Sequence, residues 1–424
     1  MSTGRNHVID VARAASIVVV VVYHGLLYRI DLTPVGVTVE PWAAPSGLYP
    51  LTWLLMILPL FFVAGGFGHS LTVDRIVSTG GNYASFLGTR AVRLVGPLRL
   101  FVTFSAVAST AAALAIGVDD VADLSQRFMV LLWFVAVYLV IIALAPAMVR
   151  LHDRAGVWPL LVLGAAALVI DAVTFGSERW GLLNLNFVVV WLFVHQLGIA
   201  YQRGWFRRGP AATARLAVLG GLAAVAALVL GGDYPPSAVA FADLQLANAQ
   251  PPTSAMAALA VAQCGMLGMV ERSGRLAQLS DRSERRLRLT NALMVTTYLW
   301  HLLGIILAGA VLVAMTIGLP ALAPLFLHQL VVAGAGVVLT ALMVPAIARL
   351  ELRLTPAIGA HDPGPGVLVS YGMLLIGVIG LWGAGAVALP STPVSLAAVL
   401  LVLAGGTLLG RSLAPRETSP SVTQ

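Results

Sequence analysis

Twelve apolar runs of about twenty residues recur along this chain, and its arginines fall almost entirely beside alternate ends of them. The runs lie at about 8–30, 51–72, 95–117, 128–149, 157–175, 186–203, 213–231, 253–270, 290–315, 322–348, 366–389 and 393–411. Each is long enough to cross the roughly 30 Å hydrocarbon core of a bilayer. The 25 cationic side chains other than histidine are all arginine. With the runs taken as spans, 22 of them fall on one face and three, Arg29, Arg127 and Arg179, on the other. Cation-rich short loops stay cytoplasmic, so the reading places both termini inside. The 18 acids split nine and nine, as expected when cations alone carry the orientation.

Composition agrees with lipid as the main solvent. The chain is 59% hydrophobic and 10% charged, against roughly 25% charged in a soluble domain. The net charge of +7 does not indicate nucleic acid, because the arginines are spread over separate segments and not gathered in a patch. A single cysteine, Cys264, leaves no intrachain disulfide and no cysteine-based zinc site; its expected role is apolar packing. The first run has no small-residue cleavage site after it and reads as a retained span. The expected fold is therefore an all-α integral membrane protein, a polytopic helical bundle of about 12 transmembrane helices. It divides into a core of about ten spans (1–350), two additional C-terminal spans (351–411) and a disordered cytoplasmic tail (412–424).

Two loops are long enough to carry more than a turn. The outer loop 232–252, rich in Pro and Asn, is expected to fold as a lid facing an acceptor. The inner loop 271–289 has helical apolar spacing at Leu276, Leu279, Leu287 and Leu289, and reads as an interfacial helix with snorkelling arginines.

Ionisable residues within spans are costly and concentrate where function is. Here they are His24, His69, His195, His301 and His328, with Asp10 and Arg13 placed to pair at the inner end of the first span. His24 stands out, because it follows the unbroken run IVVVVVY and lies past the middle of its span. Its imidazole suits proton transfer near neutral pH; the bland alternative is a neutral histidine hydrogen-bonded to a neighbouring helix. Arg90 and Arg93 lie three apart on one helical face, followed by Gly96-Pro97 as an expected break at the start of span 3. Two guanidiniums so placed suit a phosphate-bearing ligand, or equally an anchor on anionic membrane lipid. Tyr298, Trp300 and His301 sit together in TTYLWHL, and His195 is followed by Gln196 in WLFVHQLG. Tyr23, His195, Tyr298, Trp300 and His301 are the candidate pocket residues. The small residues Ala64, Gly65, Gly66 and Gly68 in PLFFVAGGFGHS allow close helix approach. No motif argues for a metal, and neither a Walker nor a dinucleotide-binding glycine fingerprint is present.

At these residues the chain resembles membrane acyltransferase family 3. The resemblance is carried by R-N-x-x-I-D-x-x-R-A-x-x-I-V-x-V-V-x-Y-H in span 1, P-L-F-F-V-A-G-G-F in span 2, the R-x-x-R of Arg90 and Arg93, and Y-L-W-H in span 9. LWFVAVYLVIIALAP and VWLFVHQLG add to it, over roughly residues 5 to 350. The resemblance implies a ten-span core that passes an acyl group, acetyl or another short acyl, from cytoplasmic acyl-CoA to a hydroxyl-bearing sugar, glycolipid or similar acceptor outside. It implies His24 as catalytic base, Arg90 and Arg93 as holders of the coenzyme A phosphates, and a less defined role for Trp300 and His301. Acyl-CoA is then a co-substrate, with no permanently bound cofactor, and the setting is the bacterial cytoplasmic membrane. Two departures stand out: span 2 has Gly-Gly where Ser-Gly is common, and spans 11 and 12 replace the soluble esterase-like domain of some relatives. Direct attack by the acceptor hydroxyl is favoured over a covalent acyl-histidine. The competing class is a multi-span transporter or exporter of a lipid-linked or small polar solute; against it, no matching halves and no mid-span charged pair are visible.

Overall fold

The computed structural model describes residues 6–33, 36–241, 244, 246–357 and 364–414. In chain order, α1 (His7–Leu26) leads into a hairpin of β1 (Tyr28–Thr33) and β2 (Gly36–Pro41). Then come α2 (Tyr49–Leu55), α3 (Leu58–Ser78), α4 (Tyr83–Ile116), α5 (Val118–Met129), α6 (Leu132–Ala155) and α7 (Trp158–Ser177). They are followed by α8 (Asn186–Gln202), α9 (Ala211–Gly231), α10 (Ser254–Arg272), α11 (Asp281–Ala292) and α12 (Met294–Gly318). The chain closes with the single turn α13 (Ala323–Phe326), then α14 (Gln329–Leu354), α15 (Gly366–Ala384) and α16 (Pro393–Leu413). Among the described residues 12 helical stretches are long and apolar enough to cross a membrane, and each overlaps one of the expected runs. The protein is an all-α polytopic integral membrane protein, as helices satisfy their own backbone groups where no water can.

The interruptions fall elsewhere than expected. No break occurs at Gly96-Pro97: α4 runs through both. Its start is set upstream by a capping box, in which the Asn82 side chain accepts from Ser85 N at 2.9 Å. Gly96 is needed there for closeness, since a Cβ would stand 2.7 Å from the Glu351 carbonyl oxygen. The break comes instead between α2 and α3, where Pro59 has no N–H to offer the Leu55 carbonyl. The loosened carbonyls at Met56 and Ile57 take donors from other helices: Gln263 Nε2 at 2.6 Å and Ser16 Oγ at 3.3 Å.

Two loops also hold more structure than expected. The first span stops at Leu26, and Tyr28–Pro41 form the antiparallel hairpin, pairing Tyr28 with Pro41 and Thr33 with Gly36. The period-two alternation of Tyr-Arg-Ile-Asp-Leu-Thr is a strand signal that a count of apolar residues overlooks. Asp119, Asp120 and Asp123, between the third and fourth expected runs, lie on the helix α5. The helix expected in the loop 271–289 forms as α11 only from Asp281, capped by Ser280, while Leu276 and Leu279 precede it. Of the expected disordered tail, Ser412 and Leu413 belong to α16, and residues 415–424 lie outside the described residues.

Spatially the chain forms two compact units, Met1–Leu71 with Leu144–Val344, and Thr72–Ala143 with Pro345–Gln424. In the first, α3 and α8 cross through facing glycines: a methyl group at Gly66 would overlap the His195 carbonyl oxygen, and one at Gly198 the Val63 carbonyl oxygen. Beside the crossing Phe62 and Trp191 stack with ring centroids 4.6 Å apart. The described residues of the loop 232–252 fold around Asn248, whose Nδ2 donates to Pro235 O at 2.7 Å and Ser237 O at 2.8 Å. Asp171, towards the end of α7, is fully buried and accepts from Asn186 Nδ2 (2.7 Å), Tyr234 OH (2.8 Å) and Ser254 N (2.7 Å). Burial and this carboxylate push the Tyr234 phenol above its ordinary pKa, which keeps it a donor.

In the second unit α15 and α16 form a close hairpin, with Gly377 against the Ala398 carbonyl. Tyr371 OH donates to Leu139 O at 2.6 Å, and Ser125 Oγ accepts from Ala386 N at 2.9 Å. These bonds tie α6 and α5 to the hairpin.

Candidate active site

The first unit brings together two of the histidines singled out in the sequence. His24 sits on the last turn of α1, and His301 in the second turn of α12, which packs along α1. Their ring centroids are 4.8 Å apart with an edge-on angle of 70°. His24 is half-buried and His301 fully buried.

Each ring is oriented by its own helix. His24 Nδ1 lies 2.8 Å from the Val20 carbonyl oxygen, and His301 Nδ1 lies 2.7 Å from that of Tyr298. A carbonyl only accepts, so both Nδ1 atoms carry a proton, and in the neutral ring Nε2 then carries the lone pair. His301 Nε2 is buried with no hydrogen-bond partner among the described residues. With both rings neutral, the arrangement offers two basic nitrogens on adjacent rings, one on a half-buried ring and one enclosed. A half-buried neutral imidazole so fixed is suited to taking a proton from a hydroxyl and returning it to a leaving group.

The helices around the pair are drawn in tightly. A Cβ on Gly25, next to His24, would come within 2.9 Å of Ala333 Cα of α14. One turn beyond His301, Gly304 lies against the Thr340 side chain, again of α14. Tyr298 and Trp300 are buried beside His301, Tyr298 with its ring 5.9 Å from the imidazole. Tyr23 stands edge-on to His24 at 5.7 Å and reaches the folded loop, with its hydroxyl 3.5 Å from Ala240 O. Trp42, Tyr49 and Phe241 pack together where that loop meets the segment after the hairpin.

The other candidates lie apart from this cluster in sequence and setting. His195 is buried at the α3–α8 crossing, its Nε2 3.0 Å from His69 Nδ1. The signal for that pairing was in the sequence: each histidine lies three residues from the glycine, Gly66 or Gly198, through which its helix touches the other. Gln196, its neighbour, bonds His152 Nδ1 at 3.0 Å. Arg90 and Arg93 belong to the second unit, on the opening turns of α4. Arg90 is half-buried and its guanidinium donates to the Thr72 hydroxyl, while Arg93 is exposed one turn on.

Comparison with known proteins gives one match. A family model described as an acyltransferase domain covers residues 6–345, a stretch that takes in both histidines, both arginines, the first nine spans and most of the tenth. No curated protein and no solved structure matches the chain.

Proposed function

Because the chain belongs to membrane acyltransferase family 3 and is therefore an acyltransferase, we propose that it moves a short acyl group, acetyl by default, from acyl-CoA to the hydroxyl of a sugar, glycolipid or similar acceptor. The observation that carries this reading is the His24–His301 pair, with both Nδ1–H groups spent on backbone carbonyls and both Nε2 lone pairs turned to other use.

In the proposed reaction His24 Nε2 takes the proton of the acceptor hydroxyl as its oxygen attacks the thioester carbonyl. The tetrahedral intermediate collapses with cleavage of the carbon–sulfur bond, and the departing thiolate takes the proton back from His24. No proton is gained or lost overall, so the buried pair needs no path to bulk water. An apolar surround slows hydrolysis of the thioester. His301, neutral and enclosed, fixes the edge of the His24 ring and keeps a second acceptor beside it. Arg90 and Arg93 hold phosphate oxygens of the donor. The acceptor is recognised at the folded loop 232–252, which reaches Tyr23 beside the base. The setting is the bacterial cytoplasmic membrane, with the arginine-rich face and both termini inside.

Labelled acetyl-CoA with the purified protein in nanodiscs tests the reading. Wild type is expected to bind and turn over the thioester. His24→Ala is expected to lose about 10²–10⁴-fold in turnover while keeping binding, and Arg90→Ala/Arg93→Ala to lose binding. Wild type that neither binds nor consumes acyl-CoA would overturn the choice of donor, and full activity in His24→Ala would overturn the base.

A further inference from the structure

A cavity of about 440 Å³ lies in the first unit where the N-terminal end of α1, the C-terminal ends of α8 and α10, and the turns that follow them meet. It shares no lining residue with the His24–His301 pair. Its volume is in the range of small-ligand clefts, about 300–1,000 Å³.

The charges around it are unevenly committed. Glu271 is spent on protein partners: it accepts from Tyr201 OH at 2.5 Å, Asn6 Nδ2 at 2.9 Å and Arg207 Nη1 at 3.4 Å. Arg207 is fixed as well, donating to Tyr201 O at 3.0 Å and Gln202 O at 2.7 Å with its guanidinium over the Phe67 ring. His7 is held between Leu276 O (2.9 Å) and Glu284 (3.1 Å). Arg208 differs. It lines the cavity, is exposed, rests its stem on Gly204, and its guanidinium bonds no other group among the described residues. The cavity therefore has rigid walls, amide groups from Asn6 and Gln202, apolar surface from Phe67, and one uncommitted guanidinium beside a second, anchored one. A guanidinium fork matches phosphate oxygens in geometry and charge.

We propose that this cavity is a binding site for a phosphate ester of about mononucleotide size, gripped by Arg208 and supported by Arg207. The site stands without any assumption about the acyl donor. Two sources carry the chemistry: a soluble nucleotide, including the adenosine end of coenzyme A, or the headgroup of an anionic phospholipid.

The test is calorimetric titration of adenosine 3′,5′-bisphosphate into the full chain in phosphatidylcholine nanodiscs. Saturable binding is expected for wild type, weakened at least about tenfold in Arg208→Ala, lost in Arg208→Glu and partly recovered in Arg208→Lys. Melting temperatures are expected to be unchanged, since the side chain is exposed. Repeating the titration with phosphatidylglycerol in the disc separates the sources. Unchanged binding assigns the site to a soluble nucleotide, and Arg208-dependent competition assigns it to a lipid headgroup. The proposal falls if the bisphosphate does not bind and phosphatidylglycerol is not retained through Arg208, or if the Arg208 variants titrate like wild type. Acetyl transfer that continues in Arg208→Ala with wild-type titration would sink this site and leave the donor reading intact. Bisphosphate binding without acetyl transfer would do the reverse.

Discussion

At the scale of single residues, the two carbonyls of Val20 and Tyr298 do the chemical sorting. Each takes an Nδ1–H and so decides that His24 and His301 present lone pairs and not protons. The cost of an imidazole in lipid made both histidines conspicuous in the sequence, one by one. What the sequence could not show is that they meet, because their contact depends on α1 lying along α12, far away in the chain. The same holds for His69, unremarkable at the end of its span until α8 brings His195 against it. The partners of Asp171 were hidden for a related reason, since its three donors come from three other segments. That carboxylate yields a prediction. Asp171→Ala leaves buried donors without an acceptor and is expected to cost at least about 2 kcal/mol of stability, read as a fall in melting temperature. His24→Ala is expected to leave the melting temperature nearly unchanged. Equal melting of the two variants would contradict the structural role of Asp171.

At the scale of elements, the apolar runs were legible because length and apolarity alone specify a span, and all twelve appear as helices. Their interruptions were not legible, as the two prolines Pro59 and Pro97 show. Both lie inside apolar runs, yet only Pro59 interrupts its helix, and the difference lies in partners supplied from elsewhere. Gln263 and Ser16 stand ready for the carbonyls freed near Pro59, whereas α4 continues through Pro97 with Gly96 tucked against the Glu351 carbonyl. The hairpin at Tyr28–Pro41 was missed because its first strand is apolar enough to pass for the end of a span. Glycine gives the sharpest expectation at this scale. Gly66→Ala drives a methyl group into the His195 carbonyl, and is expected to cost several kcal/mol or prevent folding, well beyond the ~1–3 kcal/mol typical of overpacking. Gly68→Ala, on the same helix with nothing within 4 Å of the added carbon, is expected to be neutral or stabilising by up to about 1 kcal/mol. Thermal unfolding in detergent compares the pair, and similar losses for both would refute the close crossing.

At the scale of the whole molecule, the uneven arginines and the proposed transfer from cytoplasmic donor to outer acceptor require one orientation. Cys264 is the sole cysteine and is buried, so wild type is a nearly silent background for thiol labelling. Gln278→Cys and Asp120→Cys, both at exposed positions, are expected to respond oppositely to a membrane-impermeant maleimide on intact cells. Asp120→Cys should label at once and Gln278→Cys only after the membrane is opened; the reverse pattern would invert the topology. The 34 residues of α4 bear on the same frame. At ~1.5 Å per residue the helix is about 50 Å long, well beyond the ~30 Å of a hydrocarbon core. If its apolar part fills that layer, the opening turns with Arg90 and Arg93 stand clear of it on a rigid post. If they hold phosphate as proposed, a loop carrying the same two arginines would have to be frozen at each binding event; a helix already holds them in register. Much of the entropy that a flexible clamp would lose on every encounter is thus surrendered once, when the protein folds.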